Sequence, residues 1–199
     1  MGNPAIDALS FIIGAVLSFF ALLVAIRFIM QVVRADTYNP LSQMVMKLTD
    51  PLVLPMRRLV PSVAGYDTAS LLLVFATLLV KFLLFKMLGV GATYAIGHQL
   101  PIGAMAIGKL VAAAVFDMIY LFFNVFIFAL IIRAILSWIP GAQGHAGEGL
   151  LRSITEPVLR PVRNIVPPIN GLDLSVFVTI IGLFALRILI TGALVGLLF

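Results

Sequence analysis

Two stretches of sequence decide the fold. Residues 49–61 read TDPLVLPMRRLVP, and residues 155–167 read TEPVLRPVRNIVP, so the second stretch follows the first at an offset of 106 residues. The same offset relates Arg27 to Arg133, Gly65 to Gly171 and Lys81 to Arg187. Chance similarity between apolar segments pairs Leu with Val, whereas prolines, glycines and charges that match at one offset indicate a duplication. The chain is therefore predicted to contain two tandem copies of one unit.

The segments around the two motifs are apolar enough to cross a membrane. Of the 199 residues, 62% are hydrophobic and 11% are charged, and the mean hydropathy is +1.19. A hydrocarbon core of about 30 Å needs about 20 apolar residues in a helix. Four predicted spans meet this length, at about residues 8–33, 68–88, 110–139 and 174–199. The predicted fold is an all-α membrane protein with two tandem two-helix repeats, each with an interfacial amphipathic segment rich in Pro and Arg.

The repeat also divides the chain. Residues 1–90 form the first predicted repeat, residues 91–109 a linker and residues 110–199 the second repeat. The linker is rich in glycine, and its apolar character also allows an interfacial or re-entrant helix. The duplication is predicted to be parallel, so each copy starts on the same side of the membrane.

Each motif segment is predicted to begin with a short interfacial helix. Asn39 and Pro40 suit a helix N-cap and its first position. Leu41, Met44 and Leu48 then recur at helical spacing, which is typical of an amphipathic helix lying in the interface plane. Proline disfavours a helix interior. We therefore expect the acid and proline at 50–51 and 156–157 to end this helix and to start a second, short one.

The motif residues have two competing interpretations. One is a rigid elbow whose arginines reach lipid phosphates, and the other is a docking surface for a cytoplasmic or membrane partner. The candidate residues in both cases are Asp50, Pro51, Pro55, Arg57, Arg58, Pro61, Glu156, Pro157, Pro161, Arg163 and Pro167. Asp67 and Asp173 are predicted to cap the helices that follow.

Charged residues inside the spans need a partner or a route to the interface, because burying a charge at the bilayer centre is costly. Arg27 and Arg133 lie near predicted helix ends, so we expect them to anchor in the headgroups. Lys81 and Arg187 lie about 21 Å along their helices at 1.5 Å per residue. They must reach the far interface, a polar cavity or an acid, and Asp117 is an acid on that side.

Basic residues predict the orientation. Four lie between the first and second spans and three between the third and fourth, whereas the linker region on the other side holds Lys86 and Lys109. By the positive-inside rule, the motif loops are expected in the cytoplasm and both termini outside. The excess of basic residues is assigned to orientation and anionic headgroups rather than to nucleic acid.

Catalytic and metal-binding patterns are scarce. The chain has no cysteine, and its two histidines, His98 and His145, have no second ligand three or four residues away. The phosphate-binding, HExxH and GxSxG motifs are also missing from the sequence. We predict no metal, no cofactor and no enzymatic activity.

Taken together, the double motif, Asn39-Pro40-Leu41 and the sequence Gly65-Tyr66-Asp67-Thr68-Ala69-Ser70 resemble the YggT family of bacterial membrane proteins. The resemblance covers both repeats and implies the bacterial inner membrane. It also implies links to osmotic or envelope stress, ion uptake, division or nucleoid placement, and cytochrome b6f maturation. The second copy departs from the motif, with Asn164 at the position of Arg58 and His145 at that of Asn39.

Two functions remain as hypotheses. The first is a non-enzymatic inner-membrane scaffold or an assembly and maintenance factor, linked to envelope or osmotic stress, with anionic lipids and other membrane, division or assembly proteins as partners. The alternative is a small ion or solute channel or transporter with Lys81 and Arg187 beside its pathway. Acids placed at helix starts and in loops favour the scaffold.

Overall fold

The computed structural model describes residues 3–63, 65–95, 97–139, 146–166 and 174–196. These residues form six α-helices, a two-stranded hairpin and a short 3-10 helix, Ile102–Ala104. The helices are α1 (Pro4–Val32), α2 (Pro40–Leu59), α3 (Thr68–Met87), α4 (Ile107–Trp138), α5 (Ala146–Ile165) and α6 (Ser175–Gly196). The hairpin strands are β1 (Thr93–Ala95) and β2 (His98–Leu100), which pair antiparallel.

Four of these helices, α1, α3, α4 and α6, are long and apolar enough to cross a membrane. Their number and order are those predicted from the sequence. The remaining helices, α2 and α5, connect the members of each pair and contact each other. The architecture is two tandem units of span, amphipathic helix and span.

The packing follows the duplication. Within the first repeat α1 packs chiefly against α3, and within the second α4 packs against α6. The repeats meet where α3 packs on α4, and α1 also contacts α4. The side chain of Asn39 adds a polar contact, since its Nδ2 donates to the Ala146 carbonyl at 2.6 Å. The two units therefore form one body with a shared core.

Local sequence explains where the helices begin and end. Asn3 and Asn39 each cap a helix whose first residue is proline, and the Asn39 side chain accepts the Leu41 amide at 2.9 Å. At the end of α3, Gly89 adopts a φ of 71°. The amides of Gly89 and Val90 bond back to Lys86 and Phe85, which is the hydrogen-bond pattern of a Schellman motif.

The expectation that an acid and a proline divide each motif helix is wrong. Helix α2 continues through Pro51 and Pro55, and α5 continues through Pro157 and Pro161. A proline removes one helical hydrogen bond and leaves one carbonyl unpaired. All four prolines lie on exposed faces, where water or headgroups can satisfy the freed carbonyls. The acids Asp50 and Glu156 therefore lie within helices rather than at helix starts.

The described residues of the linker form the hairpin and the short 3-10 helix before α4 begins at Ile107, rather than an interfacial or re-entrant α-helix. Its glycines disfavour helix, and Gly97 adopts a φ of 77° between the two strands. The buried side chains of Ala95, Leu100 and Ile102 join the core shared by the spans. The Nζ atom of Lys86 holds the segment by donating to the carbonyls of Gly103 and Met105 at 2.9 and 2.8 Å.

Candidate functional site

The first charged cluster joins α1 to α2. The Nη1 atom of Arg27 donates to Asp50 Oδ1 at 2.7 Å, to Thr49 Oγ1 at 2.7 Å and to the Met46 carbonyl at 3.2 Å. Thr49 is fully buried and donates in turn to the Val45 carbonyl at 2.7 Å. The Met46 carbonyl on α2 thus accepts a hydrogen bond from a side chain of α1.

The same cluster occurs in the second repeat. Arg133 Nη1 donates to Thr155 Oγ1 at 2.6 Å and to Glu156 Oε2 at 3.2 Å. Glu156 also forms an ion pair with a second cation, since Arg163 Nη1 lies 3.1 Å from its Oε1. The longer glutamate side chain therefore bridges α4 and the far end of α5.

The expectation that Arg27 and Arg133 anchor in lipid headgroups is wrong. Arg27 is only 7% exposed, and both arginines turn inward to a carboxylate on the adjacent amphipathic helix. Acid, threonine and main-chain oxygens surround the Arg27 guanidinium, as a buried charge requires. These arginines fix α2 and α5 against the spans.

A further ion pair fixes the entry to α3. Asp67 lies at the N-cap, where its Oδ1 accepts the Ser70 amide at 3.3 Å and its carboxylate accepts the Ser70 hydroxyl. Arg57 Nε lies 3.2 Å from Asp67 Oδ2. Burial raises the pKa of the Asp67 carboxyl, but hydrogen bonds from Arg57 and Ser70 and the charge of Arg57 outweigh burial, so the pKa lies below its ordinary value of 3.8.

We expect Asp67→Ala to lower the free energy of unfolding by about 1–2 kcal/mol, from the lost cap and a partly exposed ion pair. Asp67→Asn is the matched control because Asn also caps helices. It should lose only the charge. Because the folded pKa is depressed, the stabilisation by ionised Asp67 is present above pH 3.8 and is lost as the pH falls through the folded pKa. Thermal unfolding in detergent measures both effects, and unchanged melting of Asp67→Ala would refute them.

Lys81 pairs across the repeats. Its Nζ atom lies 2.7 Å from Asp117 Oδ2 on α4 and approaches Ser18 Oγ on α1 at 3.5 Å. Both members of the pair are 8% exposed. The sequence allowed Lys81 to reach the far interface, a polar cavity or an acid, and in the structure its partner is the acid Asp117. A cavity of about 430 Å³ borders this lysine and is also lined by Ser10, Gly14, Ser18 and Thr93.

Arg187 occupies the equivalent position in the second repeat but has different partners. Its Nη1 atom donates to Asn124 Oδ1, and its guanidinium carbon lies 4.9 Å from the ring centre of Tyr120 and 4.6 Å from that of Phe184. The offset of 106 makes Asn124 the counterpart of Ser18, whereas Asp117 corresponds to Phe11. The acid that neutralises Lys81 thus has no counterpart in the first repeat.

The remaining motif residues are spread along the amphipathic helices. Arg58 is exposed at the end of α2, and Pro61 follows that helix, with its carbonyl accepting from Thr68 Oγ1 at 2.7 Å. Pro167, Asp173 and His145 lie outside the described residues. Within the described part of the chain, no group of three or more His, Cys, Asp or Glu side chains is arranged to hold a metal ion.

The fold and these contacts define a multi-pass membrane protein built from two copies of one unit, in which a span arginine is locked to an amphipathic proline-containing helix. The chain belongs to the CCB3/YggT family, whose family model matches residues 6–88 and again residues 112–194. The two matches coincide with the two repeats.

Relatives cover most of the chain. An uncharacterized protein of Pseudomonas aeruginosa, PA0392, is 39% identical over 79% of this chain and 75% of its own length. A Vibrio alginolyticus protein encoded in the proC 3' region is 34% identical over 89% of this chain and 90% of its own length. The uncharacterized protein YggT of Escherichia coli K12 is 29% identical over 91% and 88%. No solved structure matches the chain.

Proposed function

We propose that this protein is a non-enzymatic scaffold or assembly factor of the bacterial inner membrane that holds another membrane protein against α2. One observation carries the proposal. Two apolar positions that α5 buries inside the protein, Leu150 and Ile154, are exposed on α2 as Met44 and Leu48, although the two helices occupy equivalent positions in the repeats.

Counterpart side chains on α5 and α2 differ in their exposure. Leu150 and Ile154 on α5 are 9% and 3% exposed, whereas their counterparts Met44 and Leu48 on α2 are each 50% exposed. The buried face of α2 instead consists of Ser42, Val45, Thr49 and Val53. We define the exposed apolar stripe of α2 as Leu41, Met44, Leu48 and Leu52. Because protein covers Leu150 and Ile154, the equivalents of Met44 and Leu48, the stripe suits a protein partner.

The positions of the charged side chains also favour a docking surface on α2. The span cations Arg27, Lys81 and Arg133 each pair with a carboxylate inside the protein, so they serve packing. Several exposed cations lie instead on the amphipathic helices, among them Lys47, Arg58, Arg152 and Arg160. A partner with an apolar membrane helix and an acidic flank would complement the stripe and these cations, and anionic headgroups would fill the remaining positions.

A site-specific photo-crosslinker at Leu48 in native membranes tests the proposal. We expect a discrete crosslinked partner that is lost when Lys47 and Arg58 are changed to Gln, since electrostatic complementarity directs docking. Crosslinkers at Leu189, an exposed residue of α6, and at Ile154 are the matched controls and should not capture that partner. Equal labelling from Leu48 and Leu189, or labelling by lipid alone, would reject the docking surface.

The proposed orientation places α2 and α5 in the cytoplasm and both termini outside, as the positive-inside rule predicts. Because the chain lacks cysteine, Ser62→Cys introduces a single thiol in the exposed segment after α2. It should resist an impermeant thiol reagent in intact cells and react after lysis. Labelling of intact cells would reverse the orientation and move the docking surface to the other side.

The link to envelope or osmotic stress comes from the family resemblance. It predicts that cells whose protein lacks the Leu48 contact will respond to osmotic shock as cells without the protein do. Growth after an osmotic upshift, compared between Met44→Gln/Leu48→Gln cells and deletion cells, measures this. If cells with the double variant grow as native cells do, the exposed apolar stripe of α2 is not needed for the stress response.

Transport remains a second candidate because the cavity of about 430 Å³ beside Lys81 carries hydroxyls from Ser10, Ser18 and Thr93. If it forms part of a pathway, purified protein in proteoliposomes should support ion or solute flux that Lys81→Met eliminates and the Lys47 and Arg58 variants retain. Such a result would replace the scaffold proposal by transport.

A further inference from the structure

The last span, α6, is covered by less protein than its counterpart in the first repeat. Helix α6 packs on α4 and α5, as α3 packs on α1 and α2. Helix α3 packs in addition on α4 and on the 3-10 helix. Of the most apolar stretch of each helix, 44% is buried in α3 and 11% in α6. Among the described residues, α6 thus lacks the cover that α4 gives to α3.

The difference in exposure is clearest along one stripe of α6. Phe82 of α3 is fully buried, whereas its counterpart at the offset of 106, Ile188, is 63% exposed. Phe75 is packed against the core, and its counterpart Ile181 is 51% exposed. Phe177 continues the same face at helical spacing and is also exposed. We define the α6 stripe as Phe177, Ile181 and Ile188.

Helix α1 exposes the other half of the same contact. Asp117 and Val125 of α4 are buried, and Asp117 faces α3 because it forms an ion pair with that helix. Their counterparts on α1, Phe11 and Phe19, are 77% and 59% exposed. Ala15 lies between them and is also exposed. We define the α1 stripe as Phe11, Ala15 and Phe19.

We infer that a second copy of this protein packs its α1 stripe on the α6 stripe of the first, and so repeats the contact between α3 and α4. Each chain carries both halves of the contact. Because each repeat has two spans, α1 crosses the membrane in the direction of α4, and α6 in that of α3. Two copies inserted in the same orientation can therefore form the contact, which joins chains head to tail. The inference does not rest on the docking surface of α2.

Arg187 favours a protein neighbour over lipid at this place. It lies 12 residues beyond the start of α6 at Ser175, about 18 Å along the helix and within the hydrocarbon region. Among the residues that the structure describes, no carboxylate forms an ion pair with Arg187. Ionisable side chains at such a depth face protein rather than acyl chains.

The second copy would supply groups that suit this arginine. Lys81 and Asp117 are paired in the contact between α3 and α4, and the corresponding residues are Arg187 and Phe11 of the second copy. The ring of Phe11 would add to the aromatic surroundings of the Arg187 guanidinium. The exposed acid Asp7 lies one turn from Phe11 on the same helix. Acyl chains offer neither an aromatic ring nor a carboxylate.

The template also predicts the register of the contact. Spans α3 and α4 are consecutive and run in opposite directions, so α6 and the second copy's α1 do as well. With Arg187 placed at Phe11, the neighbouring Ile188 also lies at the level of Phe11. Ile181, seven residues earlier and about 10 Å away along α6, lies at the level of Phe19.

Site-specific photo-crosslinkers in full-length chains, co-expressed with a differently tagged copy in native membranes, test the inference. A crosslinker at Ile188 should join the two tags, and mass spectrometry of the adduct should place the attachment near Phe11. A crosslinker at Ile181 should attach near Phe19 instead. Leu186 is the matched control because it is 46% exposed, and its counterpart Val80 on α3 is 45% exposed and so lies outside the template contact. It should join the tags about tenfold less, since only a fixed contact keeps the two groups at a high effective concentration.

Four results would overturn the inference. Labelling of lipid alone from Ile188 would mean that acyl chains cover the α6 stripe, and equal yields from Ile188 and Leu186 would mean random collision. Attachment to α6 of the other copy would indicate a symmetrical contact in place of the head-to-tail one. Capture of a different protein in place of the tagged copy would assign the stripe to another partner.

Discussion

Asp50→Ala is expected to destabilise the protein more than Arg27→Met, although the two substitutions break the same ion pair. Arg27 has 8% of its side chain exposed and Asp50 has 39%. Removing the acid leaves a buried guanidinium without its counter-ion, whereas removing the arginine leaves a carboxylate that reaches water. We expect a loss of about 3 kcal/mol for Asp50→Ala and about 1 kcal/mol for Arg27→Met.

Unfolding in detergent, followed by thermal melting or by titration with a denaturing detergent, measures this difference. Asp7→Ala is the matched control because Asp7 is an exposed acid in the first turn of α1. Its loss should stay within about 1 kcal/mol. Equal losses for Asp50→Ala and Arg27→Met would mean that Arg27 can reach lipid headgroups once Asp50 is removed.

The equivalent acid of the second repeat, Glu156, provides a second comparison. Glu156 accepts from both Arg133 and Arg163, so Glu156→Ala breaks two ion pairs. Arg133 is more exposed than Arg27, with 17% of its side chain accessible. Loss of the acid should therefore be costly in both repeats. In the first repeat the cost comes from one buried arginine, Arg27, and in the second it comes from two partly exposed arginines, Arg133 and Arg163.

The sequence predicts the repeat, the number of spans and the caps because each leaves a local signal. Apolar length reports a span without reference to any other segment. Asn39-Pro40 and Asp67 report helix starts because capping involves residues only a few positions apart. A parallel arrangement is predicted from the constant offset together with two spans in each repeat.

Asp117 was among the predicted possibilities for Lys81, but the ion pairs of Arg27 and Arg57 were not predicted, although the sequence contains a signal for them. Only two acids, Asp50 and Asp67, have an acidic counterpart at the offset of 106, and only three cations, Arg27, Arg57 and Lys81, have a basic one. In the first repeat, the structure pairs Arg27 with Asp50 and Arg57 with Asp67. Selecting the duplicated cations and acids would therefore have found the members of both pairs but not which cation meets which acid, since the equivalent of Arg57 contacts the equivalent of Asp50 in the second repeat.

The continuation of α2 and α5 through their prolines could not be predicted for a different reason. Propensity alone ends a helix at proline, but exposure of the faces that carry Pro51, Pro55, Pro157 and Pro161 removes most of that cost. Which face is exposed depends on how α2 and α5 lie against the spans. The Arg27 and Arg133 contacts set that placement, so tertiary structure decides the continuity of the helix.

The ion pair between Lys81 and Asp117 is expected to show the largest coupling in the protein. Lys81→Met should cost about 3–5 kcal/mol because it leaves Asp117 buried and unpaired between α3 and α4. Asp117→Leu should cost a similar amount, since Lys81 then keeps only the 3.5 Å approach to Ser18 and the Phe82 ring, whose centre is 4.8 Å from its Nζ atom.

The double variant Lys81→Met/Asp117→Leu removes both charges and fills the site with apolar atoms, so its stability should return to within about 1 kcal/mol of the native protein. A double-mutant cycle of unfolding free energies in detergent isolates this coupling. Arg187→Met is the matched control at the equivalent position of the second repeat. It leaves the neutral amide of Asn124 unpaired rather than a buried carboxylate, so its loss should be smaller than that of Lys81→Met. Losses that add in the double variant, or a loss for Arg187→Met as large as that for Lys81→Met, would show that the repeats are not joined through this pair.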